Sequence, residues 1–321
     1  MEKNTAKLTD RDIKLLHLLG KVGVLRTGQA KLVYGDVKRY HLRRIEKLSS
    51  EGMIVREYGY IRPTASGLQA ANYDGVPIRL RRRQYEERVL AVDVLSSFPD
   101  CKKEYAIELK RRDLVERKSQ ISAVITKGDF QYGVYALAHI PKPSNVIFLH
   151  SEMHDLQTTG IERFLVFYTA RGLQEAFGYP PIGIKECCLL PYPAGVTAFK
   201  RIFTEDFRTF INQRFPGLRP SRRPFAHFEW QDKYITVLHS NDLVKRQALI
   251  DYLTYAQKRE SRPCIIVCPP SQAQEITDLF HEYETELIID DFSRTEIQIQ
   301  EPSNNTKTHT LSNPAYRPLY P

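Results

Sequence analysis

The sequence predicts an α/β protein, α+β over its whole length, with an N-terminal winged helix-turn-helix followed by a mixed α/β domain. Three observations predict it. The first 75 residues hold three helical patterns and then two short β-prone runs about Gly59. From about residue 100 onward, apolar runs of strand length alternate with helical periodicities. A chain of 321 residues that is 42% apolar can bury a sizeable core, divided between two or three domains. The expected divisions are a DNA-binding unit over 1–75, an α/β domain over 76–215, a C-terminal α/β unit or continuation over 216–299, and a disordered tail over 300–321.

In "KLTDRDIKLLHLLGKVGVLRT", Thr9 and Asp12 have the spacing of a capping box, and Ile13, Leu16, Leu18 and Leu19 supply an apolar stripe. Thr27 caps a short second helix that ends near Gly35. A third helix is predicted from Asp36, with Val37, His41, Ile45 and Leu48 on its buried stripe and Gly52 at its stop. The opposite face carries Arg39, Tyr40, Arg43 and Lys47, flanked by Lys38 and Arg44. "MIVREYGYIRPTASG" then gives a hairpin and a helix capped by Thr64 or Ser66.

Three helices and a hairpin make a winged helix, and the second helix of a helix-turn-helix enters the major groove. The candidate DNA-binding residues are therefore Lys38, Arg39, Tyr40, Arg43, Arg44 and Lys47 on the helix, with Arg56, Tyr58 and Arg62 on the hairpin. A basic face can also be plain solvated surface, and a winged helix can bind protein. Charge, helix order and hairpin agree on DNA.

Asp74 to Pro77 reads as a boundary. In "IRLRRRQYEERVLAVDVLSSF", Arg79, Arg81, Arg82 and Arg83 either extend a phosphate footprint or form a solvated linker, ahead of a helix with Val89, Leu90, Val92 and Leu95 on its apolar side. Strands are predicted at "EYAIELK", "FQYGVYAL", "NVIFLHSEM", "RFLVFYT" and "CCLLPYP", followed by one long helix, "AGVTAFKRIFTEDFRTFINQRF". "PFAHFEW" pairs with "KYITVLHS" as a hairpin, and helix, strand, helix and strand follow to "TELIIDD".

A formal charge of +9 and a pI near 9.2 favour a polyanionic partner, and double-stranded DNA is the obvious one. The five cysteines contain no Cys-x-x-Cys, which suits a reducing compartment. No leader-like segment or bilayer-length apolar run is present, so a cytoplasmic protein with no membrane partner is expected. No P-loop or Gly-rich dinucleotide turn occurs, which argues against an ATPase or a nicotinamide enzyme, and no cofactor is expected.

Two stretches raise the question of chemistry. As a strand, "FLHSEMHD" puts His150, Glu152 and His154 on one face, either as a Zn²⁺ or Mn²⁺ site or as a half-exposed hydrogen-bonded row. "PDCKKEYAIELK" holds Asp100, Glu108 and Lys110, the letters of an Asp…Glu-x-Lys nuclease signature, in a chain whose 26% charged residues produce such letters by chance.

"LTDRDIKLLHLLGKVGVLRTGQAKLVYG" with "LRRIEKLSSEGMIV" resembles the winged-helix opening of the bacterial replication-relaxation family of plasmids and conjugative elements. "GDFQYGVYAL" and "NVIFLHSEMHD" match that family's later Asp strand and Glu-x-Asp strand, so the likeness spans roughly residues 8–170. The resemblance implies a restriction-endonuclease-like second domain with Asp129 and Glu152 in the family's acidic positions. It departs in two places: the Pro before Asp129 is absent, and His154 stands where the second acid belongs.

The resemblance further implies a DNA-binding protein of replication, transfer or their transcriptional control, working beside other replication or transfer proteins. A homodimer is expected, since dimers pair with two-fold sites. The alternative is a metal-dependent endonuclease or nickase using Mg²⁺ or Mn²⁺. The missing Lys and the His at 154 favour binding without cutting.

Overall fold

The structure, a computed structural model, describes residues 8–291. The predicted tail at 300–321 lies outside the described residues. The protein is mixed α/β, with its strands in three sheets.

The N-terminal unit runs α1 (Asp10–Val22), β1 (Leu25–Arg26), α2 (Lys31–Tyr34), α3 (Tyr40–Ser50), β2 (Ile54–Glu57), β3 (Tyr60–Pro63) and α4 (Ala65–Ala70). The capping box forms: Thr9 Oγ1 accepts from Asp12 N, and Asp12 Oδ2 accepts from Thr9 N at 2.7 Å. The strands pair antiparallel in the order β1-β3-β2. Leu15, Leu16, Leu19, Ile45, Leu48 and Ile61 fill the core between helices and hairpin. α4 sits so close to the hairpin that a Cβ at Gly67 would fall 2.0 Å from Met53 O.

The third helix begins four residues later than predicted. Arg39 sits in the left-handed region (φ 57°), and the turn it makes carries the chain from Gly35 into Tyr40. Val37 consequently stays outside the buried stripe and is 57% exposed, whereas His41, Ile45 and Leu48 are buried as expected.

The second unit comprises α5 (Gln84–Ser96), β4 (Lys102–Tyr105), α6 (Ala106–Arg111), β5 (Ala123–Lys127), β6 (Phe130–Leu137), α7 (Pro143–Gln157), β7 (Arg163–Tyr168), α8 (Leu173–Phe177), β8 (Glu186–Pro191) and α9 (Ala194–Arg201). Its five strands stand in sequence order, β4 to β6 antiparallel and β6 to β8 parallel. Both faces are covered. Phe164 and Val166 of β7 enter one core with Leu149 and Met153, while Leu165 and Phe167 enter the other with Leu90, Val94 and Phe199. That two-sided burial makes "RFLVFY" a continuous apolar run.

Three segments differ from expectation. "NVIFLHSEM", read as a strand, lies in α7. Its buried Val146, Leu149, Met153 and Leu156 follow helical spacing, and Pro143 occupies the first turn. "EYAIELK" changes from strand to helix after Tyr105, because Glu108 folds back to accept from Tyr105 N at 2.7 Å. β5, "AVITK", has no counterpart among the predicted strands.

The third unit holds α10 (Glu205–Arg214), β9 (Arg219–Pro220), β10 (Phe228–Trp230), β11 (Lys233–Val237), α11 (Leu243–Tyr255), α12 (Gln257–Glu260), β12 (Cys264–Cys268), α13 (Ala273–Phe280) and β13 (Thr285–Ile289). β10 and β11 form the predicted hairpin, and β11, β12 and β13 run parallel. The predicted long helix is two helices, α9 and α10, because Thr204 caps a new start by accepting from Phe207 N. Phe207 and Ile211 of α10 pack on this third sheet.

The loop before α11 joins the second and third units. Leu189 N donates to Asn241 O at 3.2 Å, Asn241 Nδ2 donates to Leu189 O at 3.1 Å, and Cys187 N donates to Asp242 Oδ1 at 3.0 Å. Asp242 also caps α11 by accepting from Val244 N. Burial, with the charge of Glu186 in support, pushes the Asp242 carboxyl up to about 6 against the pull of those two amides.

A carboxyl raised on folding favours the fold while protonated, and that contribution is lost as pH rises from the unfolded value, about 3.9, toward 6. Asp242→Asn keeps an acceptor for both amides and removes the buried charge. It should raise stability at pH 7.5 by on the order of 2 kcal/mol and flatten that slope in denaturant titrations across the range.

Cys187, Cys188, Cys264 and Cys268 are buried free thiols, each pushed up by burial. Among the described residues no helix is long and apolar enough to cross a membrane.

Candidate nucleic-acid interface

The outward stripe of α3 is built by helical spacing. With His41, Ile45 and Leu48 turned into the core, Arg43, Lys47 and Ser50 point the other way, exposed, and Arg39 lies one turn ahead of them. Arg39, Arg43 and, before the helix, Lys38 make no ion pair among the described residues. Lys47 approaches Glu51 at 3.9 Å across one turn, a weak surface contact.

Two residues assigned to this face do other work. Arg44 turns inward and pairs with the fully buried Asp12 through Nη2 and, at 3.1 Å, through Nε. Asp12 also accepts from the Tyr34 hydroxyl at 2.7 Å. One carboxylate thus ties α1, α2 and α3 together. Burial raises its pKa, but the hydrogen bonds from Arg44, Thr9 and Tyr34 outweigh that and hold it below the ordinary carboxylate value. Tyr40 packs edge-on against Tyr34, with ring centroids 5.7 Å apart, and is only partly exposed.

On the hairpin, Arg56 is exposed and makes no ion pair among the described residues, and Tyr58 is 74% exposed at the tip with φ 48°. Arg62 is occupied: it pairs with Glu57 at 3.1 Å and lies over the Tyr85 ring. The guanidinium of Arg82 stacks on Tyr58 at 4.2 Å. The basic segment Arg79, Arg81, Arg82 and Arg83 is exposed and so adjoins the hairpin tip. In the sequence this run fits a footprint and a linker equally; the stacking of Arg82 on Tyr58 sets it beside the hairpin tip.

The residues considered for hydrolysis do not converge. In helix α7, at about 100° per residue, Glu152 points away from the side shared by His150 and His154. Glu152 is buried and accepts from Ser119 Oγ, from Gln120 N at 3.0 Å and from Ile121 N at 3.3 Å, so it anchors the segment entering β5. His150 is half-buried against Phe177, its pKa lowered by burial, and His154 is exposed.

Asp129 is exposed in the β5–β6 turn, at the far end of β5, roughly 17 Å of strand away. Asp100 is exposed after α5. On α6, Glu108 pairs with Lys21 at 2.9 Å, and Lys110 donates to Arg117 O and Ser119 O. The antiparallel pair β5 and β6 carries no carboxylate on either strand. Among the described residues no group of three His, Cys, Asp or Glu side chains could hold a metal ion. No protein-family model, curated protein or solved structure matches the chain.

Proposed function

We propose that the chain is a sequence-specific double-stranded DNA-binding protein whose N-terminal unit is a winged helix, with α3 entering the major groove and the β2–β3 hairpin lying on an adjacent backbone. One observation carries this reading. Exposed cations without ion pairs among the described residues, Lys38, Arg39 and Arg43 about α3 and Arg56 on the hairpin, share a unit whose other side is buried in its core. Arg44, Tyr40 and Arg62 leave the contact set, because each is committed within the protein. The resemblance to the replication-relaxation family suggests a role in replication, transfer or gene control of a mobile element.

Fluorescence anisotropy on selected binding sites tests it. Arg43→Ala should weaken the preferred site by roughly 10-fold and relax its sequence preference, in keeping with about 1–3 kcal/mol for one base-edge contact. Arg56→Ala should weaken all sequences alike and lower the salt slope by about 1. Binding left intact by an Arg39→Ala, Arg43→Ala double variant would sink the assignment.

A further inference from the structure

Two neighbouring clefts flank the start of α5, of about 500 and 360 Å³. Arg88 lines both. The larger also takes Arg83, Lys118 and Lys142 into its wall, the smaller Lys110 and Arg117, and the one carboxylate in either lining is Glu87. Arg88 is half-buried and has no hydrogen bond or ion pair among the described residues. Burial lowers its pKa, raises that of Glu87 and, with the like charge of Arg88 in support, lowers that of Lys110.

Partial burial of a guanidinium with no hydrogen bond is costly. Of the other cations in the two linings, Lys118 pairs with Glu116 at 3.1 Å on the surface and Lys21 with Glu108, whereas Arg83 and Lys142 make no ion pair among the described residues. An oxyanion entering the clefts would give Arg88 a partner and add a counter-charge beside Arg83 and Lys142. The 15-residue helix α7 begins in the larger cleft, with Lys142 as its N-cap, and adds its positive end to the same space. Arg83 in this cleft adjoins Arg82, which stacks on the hairpin tip.

We propose that the two clefts form one trough for phosphate oxyanions centred on Arg88, filled by the backbone of the DNA that α3 engages. The DNA as source rests on the reading of α3 given above; the phosphate chemistry does not. Arg88 donates in-plane to phosphate oxygens, and Arg83, Lys142 and Lys118 neutralise the neighbouring charge.

The test uses the full chain, inorganic pyrophosphate as a calorimetric probe, and two duplexes containing the preferred site, one of roughly one helical turn and one of roughly three. Arg88→Met should weaken pyrophosphate at least about 10-fold without lowering the melting temperature, since the methionine fills much of the same space and no hydrogen bond or ion pair among the described residues is lost. On the longer duplex it should reduce the salt slope by about 1, and on the shorter one leave it unchanged.

Pyrophosphate binding that is absent, or equal in wild type and variant, overturns the trough. Pyrophosphate binding lost in the variant with an unchanged slope on the longer duplex overturns DNA as the source and leaves a small phosphate ester. If no duplex binds while Arg88-dependent pyrophosphate binding persists, the winged-helix reading fails and the trough stands. Should Arg88→Met fail to fold, an Arg83→Ala, Lys142→Ala pair provides the same readings.

Discussion

Asp12→Ala should destabilise the N-terminal unit by roughly 3–5 kcal/mol, the cost of breaking a buried ion pair by removing one partner. The carboxylate is fully buried and receives Arg44, Tyr34 and Thr9, so its loss strands a guanidinium and a hydroxyl at the junction of three helices. Denaturant unfolding followed by circular dichroism measures it, and a loss under about 1 kcal/mol would refute it. On the function proposed above, DNA binding should fall with it, since the same pair fixes α3 against α1.

The pH dependence follows from the sign of the shift. The Asp12 pKa is depressed on folding, so its contribution is complete above the unfolded value, about 3.9, and is lost as pH falls through the lower folded value. Wild type should therefore lose stability in this unit below about pH 4, and Asp12→Asn should remove that component.

Glu152→Ala should cost about 3 kcal/mol, because Ser119 Oγ, Gln120 N and Ile121 N all donate to that buried carboxylate and two of those groups are main-chain. Glu152→Gln should lose less, since its carbonyl oxygen still accepts while its amide meets donors. A metal-ligand role makes the opposite forecast, unchanged folding with loss of a divalent-ion effect. Urea unfolding of both variants separates the two.

What the sequence made legible was mostly local. The Thr9–Asp12 cap, the His41, Ile45 and Leu48 stripe of α3, the hairpin about Gly59 and the strand at "RFLVFY" are all legible from spacing and composition, because each is decided by neighbours within a few residues. α7 is not legible as a helix from its first half, because "NVIFL" is as apolar as a strand and the helical Leu149, Met153 and Leu156 only stand out once the segment is followed to Gln157. In the candidate site, Arg43 and Arg56 could be picked out as exposed cations. Arg44 could not be separated from them: its partner Asp12 lies 32 residues away, and no periodicity connects them. Arg88 was hidden for the same reason, since its isolation depends on what surrounds it in three dimensions.

The loop Asn241–Asp242 has a consequence for self-association. By hydrogen bonding to Cys187 and Leu189 it occupies the outer side of β8, where a second copy's strand would otherwise add. The opposite border of that sheet is β4, four residues long and carrying Lys102 and Lys103, whose charge deters lateral stacking. Strand addition at the central sheet is closed from both sides. Mutations that loosen Asn241 would open one border of that sheet, enough to pair two chains through β8 but not to extend further, because β4 stays guarded.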